Sequence, residues 1–315
     1  MLDQTSPTTA AMQQSIDAAI SQIETIIIGK QQQIKLAVCC LLAGGHCLIE
    51  DLPGVGKTTL SHALARVFGL EFSRIQFTSD LLPADILGVS IFDPNTQTFN
   101  FHAGPIFSHC VLADEMNRAT PKTQSALLEA MEERQITIDG MTHHLKQPFF
   151  VIGTQNPLDQ SGTFPLPESQ LDRFMMKLTL GYPDQQAERA LLSGQSRQHL
   201  LQQLPVSIHH DELMQLQAAV ESVHASDELL DYLQALVAAT RDPQFFVVGL
   251  SPRAALALLR AARAWALMHG RDYVEPGDIK AVFAAISSHR LSVSEQHGKS
   301  VLQLIEQTLQ QTAIP

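Results

Sequence analysis

Up to Tyr182 the chain alternates short apolar runs with stretches of helical periodicity. The runs at 46–49, 110–113 and 149–152 are apolar at nearly every position, and 71–77 alternates. Continuous apolar runs suit strands of a parallel sheet covered on both faces. Between them, apolar spacing predicts helices over 16–28 (closed by Gly29), 31–42, 60–68 and 120–134, the last opened by Thr120-Pro121 as N-cap and first-turn proline. Two hairpins interrupt the series. One pairs 89–92 with 98–101, and the other joins 135–138 to 141–146 through Asp139-Gly140. A short helix is expected at 169–174. After Tyr182-Pro183-Asp184 the pattern is helical, over 184–199, 209–223, 227–241, 252–269, 276–288 and 296–311, with one strand-like exception at 245–248. The seven alanines of the 252–269 helix permit close helix contact.

Composition narrows the classes. A chain of 315 residues with 45% hydrophobic content can fill two cores. No apolar run approaches the ~18 residues of a membrane span, and the polar segment 1–14 reads as a flexible tail rather than a secretory signal. A net charge of −11 without a long basic run weighs against a nucleic-acid partner. Cys39, Cys40, Cys47 and Cys110 sit in apolar stretches without metal-ligand spacing, as reduced core cysteines of a cytoplasmic protein do. His143-His144 and His209-His210 are too divergent to chelate as pairs, and the first two read as surface and turn residues.

The chemistry collects at the ends of the apolar runs. Asp51-Leu52-Pro53-Gly54-Val55-Gly56-Lys57-Thr58-Thr59 lies between a strand pattern and a helix pattern, the setting of a phosphate-binding loop. Gly54 and Gly56 let backbone N–H groups turn around a polyphosphate, and the helix start adds its dipole. Lys57 would reach the β- and γ-phosphates and Thr58 would ligate Mg²⁺. Asp51 stands where the usual pattern has glycine. The second run ends in Asp114-Glu115: Asp114 suits Mg²⁺, and Glu115 suits polarising the attacking water. Asn156, at the end of the third run, suits orienting that water. Arg118 reads either as a contact to a γ-phosphate or a neighbouring subunit, or as a structural ion pair. Ile26-Ile27-Ile28-Gly29 reads equally as a wall against an adenine ring and as a helix end in the core. Phe92, Phe99 and Phe101 read as a partner grip or, slightly favoured, as local packing. Arg260 and Arg263 read as surface or ion-pair residues, and Asp172-Arg173 as a local ion pair.

Taken in order, these elements resemble the MoxR family of AAA+ ATPases from about residue 27 to 288. The residues carrying the likeness are Ala43-Gly44-Gly45-His46, the phosphate loop, Gln76-Phe77-Thr78-Ser79-Asp80-Leu81-Leu82-Pro83, Ala113-Asp114-Glu115-Met116-Asn117-Arg118-Ala119, Pro121-Lys122-Thr123-Gln124, Gly153-Thr154-Gln155-Asn156-Pro157, Leu171-Asp172-Arg173-Phe174, Ser251-Pro252-Arg253 and Gly270-Arg271-Asp272-Tyr273-Val274. The resemblance implies an α/β fold: an AAA+ αβα P-loop domain with a parallel sheet over 15–183, then an all-helical lid over 184–315. It makes 88–105 a helix-2 insert and 135–146 a pre-sensor hairpin. It assigns Asn156 as sensor 1, Arg173 as an arginine finger for a neighbour's site, and Arg253 as sensor 2, carried by the lid onto the γ-phosphate. Ile28, Gly29, Pro53 to Thr59 and Asp114 are the expected ATP contacts, with Mg²⁺ on Thr58 and Asp114. It further implies a homo-hexamer, chaperone-like remodelling of client proteins and a partner bearing a von Willebrand factor A domain. The rival readings are a nucleic-acid-stimulated motor and a slowly hydrolysing, nucleotide-gated scaffold.

Overall fold

The computed structural model describes residues 8–157, 162–193, 197–293 and 298–314. Its first helix, α1 (Thr9–Ile26), starts where the Thr8 side chain accepts from the Ala11 N–H. The flexible tail expected over 1–14 is therefore helical from Thr9 on, because a capped start extends the apolar face of Ile16, Ile20 and Ile23 backwards; residues 1–7 lie outside the described ones. Next come α2 (Gln31–Leu42), β1 (Cys47–Glu50), α3 (Lys57–Val67), β2 (Phe72–Gln76) and the short α4 (Pro83–Leu87). The hairpin β3 (Gly88–Asp93) and β4 (Thr98–Ala103) precedes β5 (Cys110–Asp114) and α5 (Pro121–Glu133). The hairpin β6 (Gln135–Ile138) and β7 (Met141–His144) leads to β8 (Phe150–Gln155), α6 (Glu168–Leu171) and β9 (Met176–Leu178).

Five strands form one parallel sheet in the order β2-β5-β8-β1-β9. Successive side chains on a strand point to opposite faces, and the cores follow that rule. Cys47, Ile49, Cys110, Leu112, Phe150 and Ile152 join α1, α2 and α3 in one cluster. Leu48, Val111, Ala113 and Val151 join Leu127, Leu128 and Met131 of α5 in the other. The result is an αβα sandwich. Strand β9 is a correction to the sequence reading, which had no strand there: three residues, one of them Lys177, are too short a run to show a period. Gly153 on β8 is required by close approach, since a Cβ there would lie 2.6 Å from the Met116 sulfur and 2.9 Å from the Phe174 ring.

The rest of the chain is mainly helical: α7 (Gln185–Ser193), α8 (Arg197–Gln203), α9 (His210–Ser222), α10 (Asp227–Ala239), α11 (Pro252–Met268), α12 (Pro276–Ser287) and α13 (Val301–Gln311). The single helix predicted over 184–199 corresponds to α7 and α8, with 194–196 outside the described residues. A two-stranded ribbon, β10 (Phe246–Val248) with β11 (Ser292–Val293), confirms the one strand-like exception. Ser251 caps α11, its side chain accepting the Ala254 N–H, and Pro252 opens it. Ala254, Ala261, Ala262, Ala264 and Ala266 are all buried, so α11 packs close, and it shares the core of α1–α3. Among the described residues, no helix is long and apolar enough to cross a membrane.

His143 departs from its reading as a surface residue. Its ring stacks on Phe101 at 4.0 Å and 25°, so the two hairpins touch through an aromatic contact. Phe92 and Phe99 are largely exposed and lean on each other at 5.3 Å.

Candidate nucleotide site

The phosphate loop joins the end of β1 to the start of α3. Gly54 (φ 82°) and Gly56 (φ 99°) hold left-handed backbone that other residues adopt only at a cost. No atom would obstruct a Cβ at either, so it is conformation and not space that calls for glycine. Asp51 has a structural role that explains its presence in place of glycine. Its buried carboxylate accepts the Leu52 N–H at 2.8 Å and the Leu180 and Gly181 N–H groups at 2.6 Å each, tying the loop to the exit of β9. Lys57 donates to the Asp51 and Leu52 carbonyls at 2.6 and 2.8 Å. Partial burial lowers the Lys57 pKa, while Asp51, Asp114 and Glu115 pull it up.

Across the cavity, buried Asp114 accepts the Thr154 hydroxyl at 2.6 Å on one oxygen and Arg74 at 2.6 and 3.1 Å on the other. The same Thr154 oxygen accepts the Glu115 N–H at 2.9 Å, which fixes the bend after β5, where Glu115 itself is left-handed (φ 58°). Glu115 accepts from Gln76 at 2.9 Å and pairs with Arg118 at 3.1 Å. A cavity of about 330 Å³ gathers Pro53, Gly54, Gly56, Lys57, Thr58, Thr59, Asp114, Glu115 and Asn156, adding Arg74, Thr154 and Gln155, which the sequence reading missed. Ile28 and Gly29 do not line this cavity: Ile26 and Ile27 are buried, and Gly29 faces Asp184 and Ala187. The Thr58 hydroxyl and Asp114 carboxylate are hard oxygen donors, so the residues present fit Mg²⁺.

A second charged cavity, of about 230 Å³, opens at the other end of the sheet, beside Gly44, Gly45 and His46 at the start of β1. Arg173 reaches Glu132 with its Nε 3.1 Å from one carboxylate oxygen. Arg253 donates from Nη1 to the other oxygen, also at 3.1 Å. Asp172 pairs not with Arg173, as expected, but with Arg290: Nε donates to Oδ1 at 2.6 Å. Arg290 also donates to the carbonyls of Asp172, Phe174 and Met175 at 3.1, 2.7 and 2.9 Å, and to that of Ile286. Burial lowers the Arg290 pKa, opposed by its bond to Asp172. The neighbouring His289 meets the Phe174 carbonyl at 2.9 Å, and burial, aided by the Arg290 charge, pushes its pKa down to about 3. Arg260, which lines the same cavity, pairs with Glu221 at 3.0 Å, as an ion-pair residue should.

Residues 46–176 match the model of the ATPase family associated with various cellular activities (AAA), and residues 238–309 that of the AAA lid domain. YeaC of Bacillus subtilis is 48% identical over 87% of this chain and 85% of its own. Chaperone MoxR1 of Mycobacterium tuberculosis is 38% identical over 97% of this chain and 84% of its own. The chain belongs to the MoxR family of AAA+ ATPases. The crystal structure of a Cytophaga hutchinsonii protein superposes with a TM-score of 0.88 at 37% identity, over 98% of this chain and 97% of that one. Membership brings nucleotide binding with it, and the fold is that expected of a MoxR chain: an αβα P-loop domain followed by a helical lid.

One MoxR expectation needs correcting. Arg253, expected over its own chain's γ-phosphate, lies instead beside Arg173. Strand β1 separates the two cavities, and its four residues span about 13 Å. The cause is the docking of α11: the helix packs into the core of α1 and α2, which carries its first turn to the entrance of β1 and away from the loop at its exit.

Proposed function

We propose that this chain hydrolyses ATP to ADP and phosphate in a ring of identical subunits, with Mg²⁺ as cofactor, and couples turnover to remodelling or assembly of client proteins. One observation supports the reading: a single cavity gathers Lys57, Thr58, Asp114, Glu115 and Asn156, residues suited to binding ATP and activating water, and Arg173 and Arg253, which would complete such a site, lie at the opposite end of the sheet. A second copy, presenting its arginine end to the first copy's phosphate end, supplies what each lacks.

In this reading the loop amides and Lys57 hold the β- and γ-phosphates, and Lys57 leaves the Asp51 and Leu52 carbonyls to do so. Thr58 and Asp114 hold Mg²⁺, which neutralises charge on the phosphate oxygens. Ile28 and Gly29, outside the phosphate cavity, are the proposed contacts to the adenine. Glu115 accepts a proton from the attacking water, released from Gln76 and Arg118, and Asn156 orients that water. A neighbour's Arg173 and Arg253 stabilise charge as the γ-phosphoryl group leaves. A hexamer is the proposed ring, and clients, together with a partner bearing a von Willebrand factor A domain, are proposed to meet the exposed Phe92 and Phe99 side of the hairpins. The test is Glu115→Gln. ATP affinity should stay within about twofold while turnover falls at least ~100-fold, the scale of a lost general base; wild-type turnover in this variant overturns the assignment. Affinity capture with ATP-loaded Glu115→Gln, with and without nucleotide, tests the client and partner reading.

A further inference from the structure

We propose that Glu132 is a positioning residue for the arginine pair: one carboxylate, gripping Arg173 and Arg253 from opposite oxygens, sets both guanidinium groups at the spacing in which they enter the neighbouring site. This rests on the proposed reading that the two arginines serve a neighbour's nucleotide.

Three observations carry it. First, Glu132 is the nearest carboxylate to both arginines, at 3.1 Å in each case. The next candidate, Asp172, stands 4.0 Å from Arg253 and has its other oxygen held by Arg290. Without Glu132 the two cations would face each other and the Arg290 charge with only Asp172, at 4.0 Å from Arg253 and shared with Arg290, to offset them, and would splay apart.

Second, the grip leaves the working ends of the pair available. Glu132 meets Arg173 at Nε and Arg253 at Nη1. A guanidinium carries five N–H donors in a fixed fork, so each arginine keeps terminal N–H groups for a phosphate oxygen. Arg173 is held from the side at Nε and keeps both terminal nitrogens; Arg253 is held at Nη1 and keeps Nη2.

Third, helix electrostatics disfavour both partners unless they face each other. Glu132 lies in the last turn of α5, where the helix dipole repels a carboxylate, and Arg253 in the first turn of α11, where it repels a cation. Facing across the cavity, each offsets the other's unfavourable end. This also couples the α/β domain, which carries Arg173 and Glu132, to the lid, which carries Arg253, at the point where the neighbour's γ-phosphate would bind.

The experiment is Glu132→Gln in the full chain, with Glu132→Asp beside it and Arg173→Ala as control. Glutamine keeps the size and one acceptor but turns an amide N–H₂ toward a guanidinium. At ring-forming concentration, kcat should fall about tenfold, the scale of a displaced catalytic group, while KM and ATP affinity stay within about twofold. Glu132→Asp, which keeps the charge, should retain more activity than Glu132→Gln. The decisive measurement mixes Glu132→Gln with Glu115→Gln subunits. Intact phosphate sites of the first then receive intact arginine pairs from the second, and turnover should rise above that of either alone. Wild-type kcat in Glu132→Gln overturns the proposal, as does a reduced kcat that mixing does not restore, because a general structural defect is not repaired by a neighbour. If Arg173→Ala turns over like wild type, the shared-site reading fails first and takes this proposal with it. If Arg173→Ala is inactive while Glu132→Gln is normal, only the role of Glu132 falls.

Discussion

The phosphate cavity and the arginine cavity sit at opposite ends of one sheet and are held together in different ways. The first is built within a single domain, from backbone turns and the last residues of parallel strands, and Asp114, Thr154 and Glu115 lock one another through two hydrogen bonds to a single hydroxyl. The second is built across two domains. Arg290 and His289, just after α12, grip the carbonyls around Arg173, and Arg253 reaches across from α11 to Glu132. A shift of the lid against the sandwich therefore leaves the phosphate end intact and disturbs the arginine end. The contrast teaches where control of turnover would act: on the half of the site that depends on domain placement.

The sharpest way to break this comparison is Arg253→Ala. If the arginine end serves only a neighbour, kcat falls by about 100-fold or more, toward the scale of a lost arginine finger, while a dilute, monomeric preparation binds ATP as the wild type does. Loss of monomer affinity in a nucleotide titration would put Arg253 back over its own site. A smaller effect is expected from Asp51→Gly, which restores the common loop residue. It strands the Leu180 and Gly181 N–H groups and should cost about 2–3 kcal/mol in chemical denaturation; a neutral result would mean that the tie between loop and β9 is slack.

The smallest effect is an acid dependence that is strongest at the arginine end. His46, buried between the Val151 N–H and the Met131 carbonyl, has its pKa pushed down to about 4 by burial, and that of His289 is down to about 3. Both folded values lie below the ordinary 6.5, so the unfolded chain binds more protons in the window between. Stability is complete above about pH 6.5 and is lost as pH falls toward those values. Thermal melts at pH 7.5 and 5 should show a drop of several degrees, reduced in His289→Gln; a flat profile would contradict the burial of both rings.

The phosphate end was readable from sequence because its chemistry follows strand patterns directly: Gly54 to Thr58 after one apolar run, Asp114-Glu115 and Asn156 after two others. Thr154 also left a trace, as a polar residue two places before Asn156 on a buried strand. The arginine end was readable only as separate residues. Glu132 and Arg290 sit in no motif, and β9, which places Asp172 and Arg173 at the sheet entrance, is too short for a periodic signal. The position of Arg253 depends on how α11 docks, which its alanines permitted but did not specify. The stacking of His143 was illegible for the same reason, since its partner Phe101 belongs to another hairpin. Asp51 departs from the common loop pattern, and its physical reason lies far along the chain, where its carboxylate accepts the Leu180 and Gly181 N–H groups.

The separation of the two cavities along β1 also constrains symmetry. A twofold pair exchanges identical patches, so it can satisfy two such sites at once only when donor and acceptor surfaces lie on a common face. Here they lie at opposite ends of a sheet, and an association that joined them would be head-to-tail. Such a series either closes, giving every subunit the same surroundings, or stays open as a spiral with one phosphate end and one arginine end exposed at its two extremities. An open assembly of n copies would carry n − 1 complete sites, and activity per subunit would climb with length until closure supplied the last one.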